Sequence, residues 1–139
     1  KGKGKGKNGH CLRRYFQYDA QMSVPSDEFD HERLHVYKKA AVFAGNADRI
    51  AQKLRKRRRD LAEQLERASS SILLNIAEGA GEYSSLEKKR FYRMAKRSGT
   101  ECAAIFELAH QIACINADDF ATNRQLLLHI VRMLAALSK

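Results

Sequence analysis

From Phe29 to Lys139 apolar side chains recur at intervals of three and four residues, and nowhere in that span do apolar and polar residues alternate as a half-buried strand requires. Such a chain can bury its apolar stripes only by packing helix on helix. The only proline is Pro25, and few glycines lie inside the patterned span, so the breaks between helices are easy to place. A first helix is expected from about Asp30 to Arg55, with Val36, Ala40, Phe43, Ala47, Ile50 and Leu54 on one stripe and Leu34, Tyr37, Ala41 and Ala44 beside it. A second, about Asp60 to Glu78, carries Leu61, Leu65, Ala68, Ile72 and Ile76 and stops at Gly79 and Gly81. A third opens at Ser84, with Glu87 at capping-box spacing, and runs to about Ile115. The fourth begins near Asn116 and carries Phe120, Leu127, Ile130, Leu134 and Leu137. Short connections between long amphipathic helices predict an all-α, antiparallel up-down-up-down four-helix bundle over residues 29–139.

Residues 1–28 lack this pattern. They open on the low-complexity "KGKGKGKNGH" and are expected to form a disordered basic arm. Its glycines and lysines do not make a phosphate-binding loop, because Asn8 follows Lys7 where Ser or Thr is required. There is no run of 18 apolar residues and no secretion signal, which leads to the expectation of a soluble, cytoplasmic protein with no membrane partner. Cys11, Cys102 and Cys114 are an odd number without CxxC spacing, so buried thiols are expected and not a disulfide framework.

Polar residues interrupt the stripes of the middle helices. Arg67, Ser71, Asn75 and Glu78 step by four, four and three, and in the series Phe91, Met94, Ser98, Glu101, Ile105, Leu108 two polar residues occupy core places. A tight turn near Glu82 and Tyr83 sets residue i against roughly 165 minus i. That register predicts a partly buried Arg67–Glu101 ion pair and an Asn75/Glu78 cluster tying the end of the second helix to the start of the third. No His, Cys or second carboxylate shares the line, so this seam of Arg67, Ser71, Asn75, Glu78, Ser98 and Glu101 is read as structural, with no catalytic residue in it.

"HERLH", His31–His35, matches the HExxH zinc-peptidase pattern, with both histidines expected on one helical face. The extended pattern fails at Lys38 and Ala41, where Gly and a third His belong, and there is no sheet to carry a cleft. No metal site or cofactor is therefore assigned; at most His31 and His35 bind metal adventitiously.

Charge is the remaining signal. Lys and Arg number 26 against 16 Asp and Glu, a formal net charge of +10, of which residues 1–28 carry +3. Two acid-free windows hold six cations each, "KLRKRRR" (Lys53–Arg59) and "KKRFYRMAKR" (Lys88–Arg97). Blocks of this kind favour a polyanionic partner.

Arg67 with Ser71 and Ile72, then "NIAEG" (Asn75–Gly79), then "RFYRMAKRSGTE" with Phe91, Ala95, Ser98 and Glu101, together with Phe29, Leu34, Val36, Tyr37 and Ala40, form a pattern. It resembles the four-helix bundle proteins that include those encoded by intervening sequences in bacterial 23S ribosomal RNA genes. The resemblance covers about residues 29–138 and implies an antiparallel four-helix bundle, commonly a ring-like homopentamer, with no known enzymatic activity. More distantly the chain is similar to the accessory protein of diversity-generating retroelements, a basic pentameric bundle that binds RNA and a reverse transcriptase. Two departures stand out: an arm of 28 residues, and a Lys/Arg run between the first two helices where many relatives have a Phe-Pro turn.

The expected function is thus that of a non-enzymatic, homo-oligomeric, pentameric basic bundle that binds RNA or another nucleic acid through phosphates, as an accessory to an rRNA intervening sequence or a reverse transcriptase. The residues expected to carry it are Lys53, Arg55, Lys56, Arg57, Arg58, Arg59, Lys88, Lys89, Arg93, Lys96 and Arg97. The alternative is an oligomeric scaffold or adaptor that binds a protein partner without nucleic acid.

Overall fold

A computed structural model describes residues 27–139. After a 3₁₀ turn at Asp30–Arg33 come four helices: α1 (His35–Leu54), α2 (Arg59–Ala80), α3 (Ser85–Gln111) and α4 (Ala117–Leu137). Among the described residues there is no strand. Consecutive helices pack against each other and α4 closes back on α1, which makes an antiparallel four-helix bundle. The arm expected over residues 1–28 lies almost wholly outside the described residues.

The core is formed by the stripes that the period defines. Val36, Ala40, Phe43, Ala47, Ile50 and Leu54 of α1 are buried, as are Leu61, Leu65, Ala68, Ile72 and Ile76 of α2 and Leu127, Ile130 and Leu134 of α4. The neighbouring α1 stripe of Leu34, Tyr37 and Ala44 is only half-buried, and Ala41 is exposed. Ser84 caps α3, its hydroxyl accepting the Glu87 N–H, and Asn116 caps α4 by accepting the Asp119 N–H at 2.7 Å. Glu87 does not complete a capping box; it pairs with Arg90 at 3.4 Å.

Three expectations need correction. The first helix does not run unbroken from Asp30, because Leu34 is extended (φ −83°, ψ 124°) and separates the 3₁₀ turn from α1. His31 and His35 therefore do not share a helical face. The His31 ring stacks on Phe29 and tilts against Tyr37, with centroids 5.5 and 4.5 Å away. Helix α3 ends at Gln111 and not near Ile115: Ala113 takes positive φ (55°), and the Cys114 N–H donates to Ala109 O at 2.8 Å in a Schellman-type stop. The buried face of α3 is also rotated from the expected one. Tyr92, Ala95, Gly99, Cys102, Ile105, Phe106 and Ala109 face the core, while Glu101 and Leu108 are exposed.

Small residues set this rotation. A β-carbon built on Gly79 would lie 2.9 Å from Phe91 Cβ and 2.9 Å from Tyr92 Cε1, and one on Gly99 would lie 3.0 Å from Val131. α3 thus approaches α2 at Gly79 with no room for a methyl group, and approaches α4 at Gly99 so closely that a methyl group would push on Val131. A part-buried polar pair joins α1 to α4: Asn46 donates to Asn123 Oδ1 at 3.1 Å, and Asn123, 1% exposed, donates to Asp119 O at 2.8 Å.

Gly79→Ala is expected to cost about 1–2 kcal/mol, overpacking against the Phe91 backbone-proximal carbon outweighing the gain in helix propensity. Urea denaturation of the variant beside wild type checks this, with a lowered midpoint expected at unchanged slope.

Candidate nucleic-acid interface

The predicted polar seam exists only in part. Ser98 donates to Ser71 Oγ at 2.9 Å, and Asn75 donates to Ser71 O at 2.8 Å and to Ser71 Oγ at 3.0 Å. These three half-buried residues bridge α2 to α3, in a register where residue i faces about 169 minus i. Arg67 and Glu101 are both exposed, and no ion pair joins them. The rotation of α3 carries Glu101 out of the interface. Glu78 is exposed too, and Lys88 performs the linking role expected of it, donating to Ala80 O at 2.8 Å across the α2–α3 turn.

The two basic windows differ more than their sequences suggest. The first lies on the α1–α2 connection, where acids of α2 and α4 neutralise much of it. Arg58 grips Asp60 with two hydrogen bonds of 2.9 and 2.7 Å. Arg55 bonds Glu66 and lies 3.9 Å from Glu63, Arg59 reaches Glu63 at 3.0 Å, and Lys53 reaches Asp119 at 3.5 Å. Only Lys56 and Arg57 of this window make no ion pair among the described residues. The hydrogen bond from Glu66 raises the pKa of Arg55, and that from Asp60 raises Arg58. In return the Arg58 bond pulls the Asp60 carboxyl from its ordinary 3.8 down to about 2.

The second window lies along α3. Lys88 is held by Ala80 and Arg90 by Glu87, which leaves Lys89, Arg93, Lys96 and Arg97 without an ion pair among the described residues. At helical spacing these four share one outward stripe, opposite the buried face. Arg93, Lys96, Arg97 and Thr100 line one shallow hollow of about 500 Å³. Lys89 and Lys96 are half-buried, and a lysine can cover its stem while its ammonium head stays in water. Thr100 was not singled out in the sequence, although its position one turn beyond Lys96 and Arg97 places it in the stripe. By the α2–α3 register Arg93 is level with Ile76, so this stripe lies roughly 25 Å along the bundle axis from Arg59, well beyond a Debye length.

Nucleophilic groups are scarce. Burial pushes the Cys102 thiol up to about 12 and keeps it protonated. Among the described residues no cluster of His, Cys, Asp or Glu could hold a metal ion, and no helix is long and apolar enough to cross a membrane.

A family model for the 23S rRNA-intervening sequence protein matches residues 32–136, most of the chain and all four helices. The chain belongs to that family. A solved structure similar to it is a protein of unknown function from the S23 ribosomal protein family of Bacteroides thetaiotaomicron, 20% identical. The match has a TM-score of 0.71 and covers 75% of this chain and 98% of that one, which shows a shared fold. No match is found among curated proteins. Within this family of 23S rRNA-intervening sequence proteins, then, the present member has a bundle with four cations on one face of α3 that make no ion pair among the described residues, and with loop cations that are largely neutralised.

The Arg58–Asp60 pair yields a pH prediction. A carboxyl whose folded pKa lies below its unfolded value stabilises the fold above the unfolded value, and this contribution is lost as pH falls through the folded one. For Asp60 the window is from about 4 down to about 2. Carboxyl carbon NMR should give an Asp60 midpoint near 2, returning toward 3.8 in Arg58→Ala.

Proposed function

We propose that this protein is a non-enzymatic, homo-oligomeric basic bundle that binds RNA through its phosphates. The observation that carries the reading is the stripe of Lys89, Arg93, Lys96 and Arg97, four cations on one helix with no acid of the described residues paired to them, beside Thr100. Cations already matched to carboxylates give up those partners to contact a phosphate, whereas unpaired ones exchange only water and counterions. The α3 stripe is therefore the principal contact, with Lys56 and Arg57 secondary. Recognition by charge alone is weakly sequence-specific. A role beside an rRNA intervening sequence or a reverse transcriptase follows from the family resemblance.

Oligomerisation is part of the same proposal, and a pentameric ring is the form the resemblance implies. Leu74 is 58% exposed in an open groove lined also by Glu66, Arg67, Ser70, Ser71, Asn75 and Glu78. An apolar side chain rimmed by polar ones is the composition of a subunit contact. A ring would repeat the α3 stripe around its circumference, so that modest phosphate contacts add by multivalency.

Replacing Arg93, Lys96 and Arg97 together by Ala is expected to lower the slope of log affinity against log salt by about 2–3. Replacing Arg55, Arg58 and Arg59 should change it by less than about 1. Gel shifts between 50 and 200 mM salt measure both slopes, and no binding by wild type at the low end would contradict the reading. Light scattering should return five times the monomer mass.

A further inference from the structure

At the end of the bundle where α3 begins, roughly 100° around that helix from the stripe, the bundle opens into a second hollow of about 500 Å³, lined by Asp30, Arg33, Leu34, Ala80, Gly81, Glu82, Tyr83, Lys88 and Tyr92. Its chemistry differs from that of the stripe above it. Asp30 and Glu82 repel a phosphate, yet the walls carry an apolar side chain, two phenol rings, donors on Arg33 and Lys88, and carboxylate acceptors. That mixture of flat apolar surface with both donors and acceptors is what an unpaired nucleobase requires and what a phosphate does not. We infer that this hollow takes an unpaired RNA base, stacked on Tyr83, from a strand whose phosphates lie along Lys89, Arg93 and Lys96; the inference rests on the RNA-binding reading and narrows its substrate to single-stranded RNA.

Four features support it. The Tyr83 ring is fully exposed (103% of its reference area), packs on nothing in the bundle and makes no hydrogen bond, and a free aromatic face beside a hollow is a stacking surface. Tyr92 lines the same hollow and makes no side-chain hydrogen bond among the described residues, although it is largely buried, against Gly79. Lys88 spends one N–H on Ala80 O and keeps two for a base edge. All three tyrosines of the described region, Tyr37, Tyr83 and Tyr92, lie at this end of the bundle, together with the stacked Phe29–His31 pair. Geometry also permits one strand to serve both sites: Lys88 to Lys96 is eight residues of helix, roughly 12 Å.

The test compares a short poly(A) strand with a blunt RNA duplex of equal phosphate number, each fluorescently labelled, by anisotropy at fixed salt. Tyr83→Ala should weaken strand binding by about 5- to 100-fold, leave duplex binding unchanged and leave the salt slope unchanged, because stacking is lost but no phosphate contact is. Tyr83→Phe should bind the strand like wild type. Nothing packs on Tyr83, so both variants are expected to keep the wild-type circular dichroism and melting. Equal strand affinity for wild type and Tyr83→Ala would overturn the base site while leaving phosphate binding intact. Failure of wild type to bind either RNA would overturn the parent reading instead.

Discussion

The close approach of α2 to α3 governs the rest of the structure. Gly79 meets Phe91 and Tyr92 with no space for a β-carbon, and Ser71 meets Ser98 hydroxyl to hydroxyl. These contacts fix both the distance between the helices and the rotation of α3 about its own axis. Since a residue on a helix turns through 100° per position, shifting the buried face by one residue redirects every side chain on it. The observed setting buries Tyr92, Ala95, Gly99, Cys102 and Phe106 and therefore turns Lys89, Arg93, Lys96 and Arg97 outward on the opposite side.

Electrostatics follows from that placement. The α1–α2 connection has the denser run of cations, but α2 begins beneath it with Asp60, Glu63 and Glu66, and Asp119 approaches from α4. Among the described residues the α3 stripe has no such companions, and Glu101, one turn past Arg97, makes no ion pair. Density of charge in the sequence and availability of charge on the surface are thus different quantities. The bundle places the α3 stripe between the hollow beside Tyr83 at one end and a neutralised loop at the other.

Helix number, order and the cores of α1 and α2 were legible because large apolar residues recur there at a clean period, and so was the middle of α4, although Phe120 is only half-buried and Leu137 is exposed. The face of α3 was not, because small residues, Ala95, Gly99 and Cys102, form much of its buried side, and a search for large apolar residues passes over them. Following Met94, Ser98 and Glu101 placed Ser98 correctly and Glu101 wrongly, and the expected ion pair with Arg67 went with it. The break at Leu34 carried no proline or glycine to mark it, so His31 and His35 seemed to share a helix. The loop pairs were partly legible: Arg59 and Glu63 stand four apart on α2, the spacing of a helical ion pair. The Asn46–Asn123 bond joins residues 77 apart, and neither side chain alone signals it.

The most direct test of the central claim, that unpaired α3 cations and not the loop arginines meet the polyanion, is side-chain NMR of arginine Nε–Hε groups during titration with RNA. Arg93 and Arg97 should shift and broaden progressively, while Arg55, Arg58 and Arg59 stay at their positions against Glu66, Asp60 and Glu63. Perturbations concentrated on Arg55, Arg58 and Arg59, with Arg93 and Arg97 unmoved, would contradict the account.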